Sequence, residues 1–391
     1  MSSVHSAVEA RDVPVVSYED LVAQEDLSAV IEEAFGYEGM GILVVSGVPE
    51  LSAKRGELLP LAFAFANLPD EAKKACELPE AFYSFGWSHG KENLQGKPDF
   101  AKGSYYNNPE VNDLSSGDQQ LVAKFPSFYH PNIWPKGAAG DSRRVLQCYG
   151  QLSLPVVLCA ELPELEKAFM KLGQLIVDTG VLVAHQCDKL VESKCKGYEQ
   201  GKLHRIISKG KCSKARLLHY YSLTEEQIQA QQEAKTLEDS FAWCGWHNDH
   251  GALTGLVQAM FTDSKGETVP NPDQAAGLYV KNRRGEILKA NIPPGHLVYQ
   301  IGETSQILSG GTLQATPHAV RGAQVTGVNR ETLAVFMQPL PHEKMAVPSS
   351  KDPNEAGKTE NLPKGVPPLL SRWNNDMTYD DFTQATFKAY Y

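Results

Sequence analysis

No run of uncharged apolar residues in this 391-residue chain approaches the roughly 18 needed for a membrane-spanning helix. The N-terminus, MSSVHSAVEARDVPVVSYED, lacks the apolar core of a secretory signal and carries early acidic residues instead. Cysteine is sparse. Cys76, Cys148, Cys159, Cys187, Cys195, Cys212 and Cys244 are odd in number and scattered, and they include no C-x-x-C pair. They read as reduced thiols of an intracellular protein, with the cytoplasm the expected location. Basic residues are the minority, 37 against 47 acidic, for a net charge of −10. Without a basic stripe, neither nucleic acid nor an anionic membrane is expected as a partner. There is no G-x-G-x-x-G leading into a helix, no G-x-x-x-x-G-K-[ST] and no G-x-S-x-G, so nucleotide-binding and serine-hydrolase readings have no support. Internal repeats and low-complexity tracts are also absent.

What is present describes a folded globular protein with a sizeable core: 42% hydrophobic and 21% charged residues. Val13-Pro-Val-Val16 starts extended, and a helical stretch covers about 26–35. Gly41-Ile-Leu-Val-Val-Ser-Gly47 is a buried-strand run between glycines. Helices are expected over 51–68 and 70–77, the second opened by Pro69. Between Ala81 and Asp113 the chain turns irregular and aromatic, which suits either a surface loop or a lid over a pocket. The longest helical pattern is 162–195, where Leu165, Phe169, Leu172, Ile176, Val183 and Leu190 recur on one face. From about 215 the pattern turns to short strands: 217–221, 278–280, 296–300 and 332–337. Residues 262–276 and 347–368 read as exposed loops, and 379–391 as a closing amphipathic helix. Strands after a helical half predict an α+β, mainly β fold: a double-stranded β-helix, or jelly roll, with N-terminal and C-terminal helical buttresses. Its regions would be 1–120 (helical/β), 121–210 (helical support), 211–345 (jelly-roll core) and 346–391 (C-terminal loop and helix), forming one catalytic unit.

The residues most able to carry chemistry are His247-Asn248-Asp249, His318 and Arg330-Glu331-Thr332. Two imidazoles and a carboxylate form the face that holds non-haem iron(II) with positions left open. On a strand, the two-residue spacing of His247 and Asp249 puts both on one face. His219, His250 and His296 are alternative third ligands; His318 is preferred because Arg330 and Thr332 come after it in the chain. Arg330 and Thr332 share a face and offer a guanidinium and a hydroxyl to a carboxylate. Arg321 rivals Arg330 but lacks the hydroxyl two residues on. His219 and Tyr221 also share a face, on the strand before the H-x-D triplet.

With these residues in place, the chain resembles the iron(II)/2-oxoglutarate-dependent oxygenases, specifically the isopenicillin-N-synthase-like group of plant-type dioxygenases. The likeness runs through Asn132-Ile-Trp-Pro135, Leu217–Tyr221, Trp246–Thr254, Ala276-Gly-Leu-Tyr-Val280, Pro294-Gly295, Ile301-Gly-Glu303 and Arg330-Glu-Thr332. It implies that His247, Asp249 and His318 bind Fe(II) and act as the catalytic centre. It implies that Arg330 and Thr332 take the distal carboxylate of 2-oxoglutarate, with Tyr221 and His219 helping to hold that co-substrate. The reaction implied consumes 2-oxoglutarate and O2, releases succinate and CO2, and hydroxylates a small molecule, with ascorbate in support. Trp87, Tyr105 and Tyr106 are expected to wall the substrate pocket. Two other readings stay open: an iron oxidase on the same fold that does not use 2-oxoglutarate, and a non-catalytic jelly-roll binding or sensor protein.

Overall fold

The computed structural model describes residues 10–91, 93–94, 97–135 and 162–390. Cys148, Cys159 and part of the expected helical support lie outside the described residues. The first elements are strands β1 (Ala10–Asp12) and β2 (Val15–Ser17), helices α1 (Tyr18–Ala23) and α2 (Ser28–Phe35), strand β3 (Ile42–Ser46), and helices α3 (Leu51–Ala66) and α4 (Asp70–Lys74). Next come β4 (Gly86–His89), β5 (Asn93–Leu94), β6 (Lys97–Pro98) and β7 (Lys102–Asn107). Four helices come after them: α5 (Gln119–Lys124), α6 (Pro126–Tyr129), α7 (Leu165–Lys194) and α8 (Lys202–Gly210). The second half holds β8 (Lys214–Tyr220), α9 (Glu225–Gln232), β9 (Cys244–His247), β10 (Leu253–Val257), β11 (Met260–Thr262) and β12 (Thr268–Val269). It continues through β13 (Gly277–Lys281), β14 (Ile287–Asn291), β15 (Leu297–Ile301), α10 (Glu303–Leu308), β16 (His318–Arg321) and β17 (Asn329–Met337). Helices α11 (Pro353–Ala356) and α12 (Tyr379–Tyr390) close the chain's described part.

Two sheets face each other, as a jelly roll requires. The larger runs β2-β3-β15-β10-β17-β8-β7-β4, with β11 and β12 beside β17. The smaller runs β1-β14-β13-β16-β9. Strand alternation sorts the side chains of β8 and β17. Ala215, Leu217, Leu333 and Val335 join the core beneath α3 and α7, whereas Leu218, Tyr220 and Ala334 meet Cys244 and Val320 between the sheets. The apolar stripe expected on the long helix is buried along α7 at Leu165, Phe169, Leu172, Ile176, Val183 and Leu190.

Helix α7 sits close to the large sheet because glycines meet there. A Cβ on Gly255 would overlap Ile176 Cγ2 and come within 3.1 Å of Tyr299, and a Cβ on Gly180 would overlap Met337 Sδ. Gly255→Ala is therefore expected to destabilise the protein by about 1–3 kcal/mol through overpacking, read as a lowered melting temperature. An unchanged melting temperature would mean that α7 is not seated on β10.

The segment from Ala81 to Asp113 corrects the expectation of a loop or lid. It contains β4 and β7, which extend the large sheet from β8. The tail expected to be helical is α12. No helix among the described residues is long and apolar enough to cross a membrane.

Candidate metal and co-substrate site

Strands β9 and β16 are neighbours in the small sheet, with His318 directly opposite His247. Their ring centroids lie 4.2 Å apart. The chain leaves β9 at His247 and crosses to the large sheet at β10, which places Asp249 at the crossing. There Thr254 Oγ1 donates to Asp249 Oδ2 at 2.7 Å. Asp249 Oδ1 is 3.8 Å from His247 Nε2 and 3.8 Å from His318 Nε2. One ligand atom from each residue lies within 4.8 Å of the others, and among the described residues this is the group of His, Cys, Asp and Glu side chains that could hold a metal ion.

The outer hydrogen bonds set the tautomers. His247 Nδ1 faces the Gly245 carbonyl at 2.9 Å and His318 Nδ1 faces the Thr316 carbonyl at 3.3 Å. With each Nδ1–H donated, both Nε2 lone pairs point at the shared space beside Asp249. Burial, reinforced by His247, pushes His318 down to about 4 against the pull of Asp249. Burial works to raise Asp249, but His318, His247 and the Thr254 hydroxyl outweigh it and hold the carboxyl below its usual range. His318 thus offers a neutral imidazole and Asp249 a carboxylate beside the second imidazole, a donor set that suits a divalent transition metal.

The rival ligands are elsewhere. His250 stacks on Tyr379 at 5.9 Å, and burial pushes it down to about 4. His296 is half-buried at the turn before β15, its Nδ1 facing the Pro294 carbonyl. His219 packs on the helix-facing side of the large sheet, against Phe63 of α3. Histidines held below their ordinary 6.5 give a pH signature. Below that value the unfolded chain takes up protons that buried His250 and His318 refuse. The metal-free protein should therefore lose stability as pH falls from about 6.5 towards about 4. Melting curves of His318→Asn and His250→Asn should show flatter pH dependence; curves parallel to wild type would remove these residues as the cause.

At the other end of the space between the sheets stand Arg330 and Thr332 of β17. The Arg330 guanidinium lies 4.9 Å over the Tyr220 ring. Its Nη1 is sealed from solvent and finds no hydrogen-bond partner among the described residues, an arrangement that suits an anion. Thr332 Oγ1 donates to the Val257 carbonyl at 3.1 Å and must rotate to serve a carboxylate.

Residues 13–137 match the profile of the non-haem dioxygenase N-terminal region named for morphine synthesis, and residues 244–339 match that of the 2OG-Fe(II) oxygenase superfamily. The chain belongs to that superfamily. Scopoletin 8-hydroxylase of Arabidopsis thaliana is 38% identical over 103 residues, 26% of this chain and 24% of the relative. The match therefore spans about a quarter of the curated relative's length. Among solved structures, a full-length Neurospora crassa protein in complex with alpha-KG and 5-formyluracil aligns over 100% of this chain and 99% of its own, with a TM-score of 0.63 and 16% identity. The rice dioxygenase for auxin oxidation aligns over 96% and 95%, with a TM-score of 0.53 and 16% identity. These two share the oxygenase fold.

Within this oxygenase frame several expected site residues change place. His219 and Tyr221 do share a face, but it is the helix side of the large sheet, opposite Arg330. His219 pairs with Glu331 at 2.9 Å and packs edge-on to Phe63 of α3, and Tyr221 lies against both His219 and His89. The register sets Tyr220 opposite Arg330, so alternation turns its neighbours away. Arg321 is likewise on the wrong face. His318 and Val320 point between the sheets, which puts Ala319 and Arg321 on the outer side with Tyr279. Trp87 and Tyr105 are core residues rather than pocket walls. Both stack on Phe65 of α3, at 5.2 and 4.3 Å. Tyr106 points the other way, between the sheets, with Arg216 5.0 Å from its ring. Thr254 and Tyr220 went unassigned from sequence. The strand register that selects Tyr220 over Tyr221 is set by pairing with β17 and is invisible in β8 alone.

Proposed function

We propose that this chain is an iron(II)- and 2-oxoglutarate-dependent oxygenase that hydroxylates a small molecule, releasing succinate and CO2. The observation that carries this reading is the pairing of two features in one space between the sheets: the His247, Asp249 and His318 ligand atoms, and the orphaned Nη1 of Arg330. His247, Asp249 and His318 would hold the metal through Nε2, a carboxylate oxygen and Nε2. Arg330, backed by the Tyr220 ring, would hold the distal carboxylate of 2-oxoglutarate. Bound iron and 2-oxoglutarate together would supply the activation of O2 and its transfer to substrate. The chain's own part is to bind, orient and keep water out. Thr254 holds Asp249 Oδ2, which leaves Oδ1 on the side of the two Nε2 atoms where a metal would be held, and the backbone carbonyls of Gly245 and Thr316 orient the imidazoles.

A small-molecule substrate agrees with the hydroxylase relative and with an acidic chain lacking a basic stripe. Tyr106 and Phe336 are aromatic side chains on that face of the large sheet that would meet it. The test is succinate release from 2-oxoglutarate across a metabolite panel. Release that depends on an added small molecule supports the proposal. Oxygen uptake without succinate would point instead to an oxidase that does not use 2-oxoglutarate.

Tyr220 and Tyr221 separate the observed register from the sequence expectation. Tyr220→Ala should raise the KM for 2-oxoglutarate by the worth of a cation–π contact, about 0.5–2 kcal/mol or roughly 2- to 30-fold. Tyr221→Ala should leave that KM unchanged. The reverse result would restore Tyr221 as the co-substrate residue.

A further inference from the structure

The loop that leaves β9 after His247 and carries Asp249 is gripped from behind by the start of α10. The N–H groups of Gly302, Glu303 and Thr304 donate to the carbonyls of Ala252, Asp249 and Gly251 at 3.0, 2.8 and 3.2 Å. Thr304 Oγ1 donates to the His250 carbonyl at 2.6 Å. The Glu303 side chain extends the grip. Its Oε1 accepts from Asn248 Nδ2 at 3.1 Å and from Arg372 Nη2 at 2.6 Å. Arg372 in turn reaches α12, donating from Nη1 to Thr386 Oγ1 at 2.8 Å. Near the end of α12 the Tyr390 hydroxyl accepts from the Asn248 backbone N–H at 3.3 Å. Asn248, the residue between two of the three ligands, is thus held at its backbone by Tyr390 and at its side chain by the Glu303–Arg372 pair.

That pair is almost entirely buried, at 1% and 2% side-chain exposure. Burying two charges is costly, and a buried ion pair is weak support for stability in itself. The network also leaves Glu303 Oε2, Asn248 Oδ1 and Arg372 Nε without hydrogen-bond partners among the described residues. A network kept for stability alone would be expected to close its own hydrogen bonds. What it does accomplish is geometric: it ties the segment from Arg372 to Tyr390 to the residue that spaces His247 from Asp249.

We propose that Arg372, Glu303 and Tyr390 are positioning residues of the metal centre, acting through Asn248 to set the separation of the His247 and Asp249 ligand atoms. The C-terminal segment is then part of the metal site as well as a buttress. This inference rests on the reading of His247, Asp249 and His318 as metal ligands, and the experiment distinguishes the two.

Cobalt(II) is the probe, because its visible ligand-field bands report coordination geometry and its binding needs no turnover. Wild-type full-length protein, Glu303→Gln, Arg372→Met, Arg372→Lys and Tyr390→Phe are titrated with cobalt(II), alongside melting curves of the metal-free forms. Outer-shell partners of metal ligands typically carry about 10- to 100-fold in metal affinity. That loss is expected for Glu303→Gln and Arg372→Met, with displaced cobalt bands. Arg372→Lys should recover part of it, and Tyr390→Phe should shift the bands with a smaller loss of affinity. Tyr390→Phe strands no charge, so it keeps the inference open to refutation if Arg372→Met fails to fold. Folded Glu303→Gln and Tyr390→Phe that bind cobalt(II) within twofold of wild type, with unmoved bands, would overturn the positioning role alone. A wild-type protein that binds no cobalt(II) would overturn the metal reading and this inference with it.

Discussion

Asp249→Ala is expected to lose iron(II) binding almost completely. The carboxylate is the anionic member of the triad, and its Oδ1 faces both Nε2 atoms at 3.8 Å. Removing one partner from a buried charged arrangement costs about 3–5 kcal/mol, from roughly a hundred-fold to several thousand-fold in affinity. Thr254→Val should show the same effect in miniature. It deletes one hydrogen bond to a charged group, worth about 1.5–3 kcal/mol, and frees the carboxylate to turn. Anaerobic titration of metal-free protein with iron(II) measures both. Near-normal loading in Asp249→Ala would place the metal elsewhere, and normal loading of His247→Ala or His318→Ala would show that the wrong histidines have been chosen.

Arg330→Ala should raise the dissociation constant for 2-oxoglutarate by a comparable 3–5 kcal/mol, on the order of a hundred- to several-thousand-fold, while sparing iron. The guanidinium has a nitrogen sealed from water that finds no hydrogen-bond partner among the described residues. Arg321→Ala is the matched control. Arg321 lies on the outer face of the small sheet beside Tyr279, so its loss should leave 2-oxoglutarate affinity within a few-fold of wild type. Equilibrium binding to the anaerobic iron form distinguishes the two. An Arg321 variant that fails to bind 2-oxoglutarate, beside an Arg330 variant that binds it, would reverse the assignment.

The site was legible in the sequence where the chemistry is local. Arg330 and Thr332 are two apart on β17 and share a face as alternation predicts, whereas β9 ends at His247, so the crossing to β10 and not alternation brings Asp249 beside it. The choice between Arg330 and Arg321 needed the sheet, because β16 turns each successive residue to opposite sides. The same parity defeats the expectations for Tyr221 and His219, whose role depends on which residue of β8 faces Arg330. A strand read without its partner leaves that register open. The aromatic stretch 82–106 failed differently. Trp87 and Tyr105 have the composition of a pocket wall, but α3 supplies Phe65 against them from far away in the chain. The Arg372–Glu303–Asn248 contact was equally hidden, since its members are remote from one another in sequence. The long helix and the closing helix were readable because each carries its own 3.6-residue period.

The most direct test of the account adds iron(II) and then 2-oxoglutarate to the wild-type protein under anaerobic conditions, monitored by visible absorption. One iron per chain and the weak charge-transfer band of a keto acid chelated to iron, absent in Asp249→Ala and needing far more 2-oxoglutarate in Arg330→Ala, is the predicted result. Stoichiometric iron binding with no such band at saturating 2-oxoglutarate would contradict it.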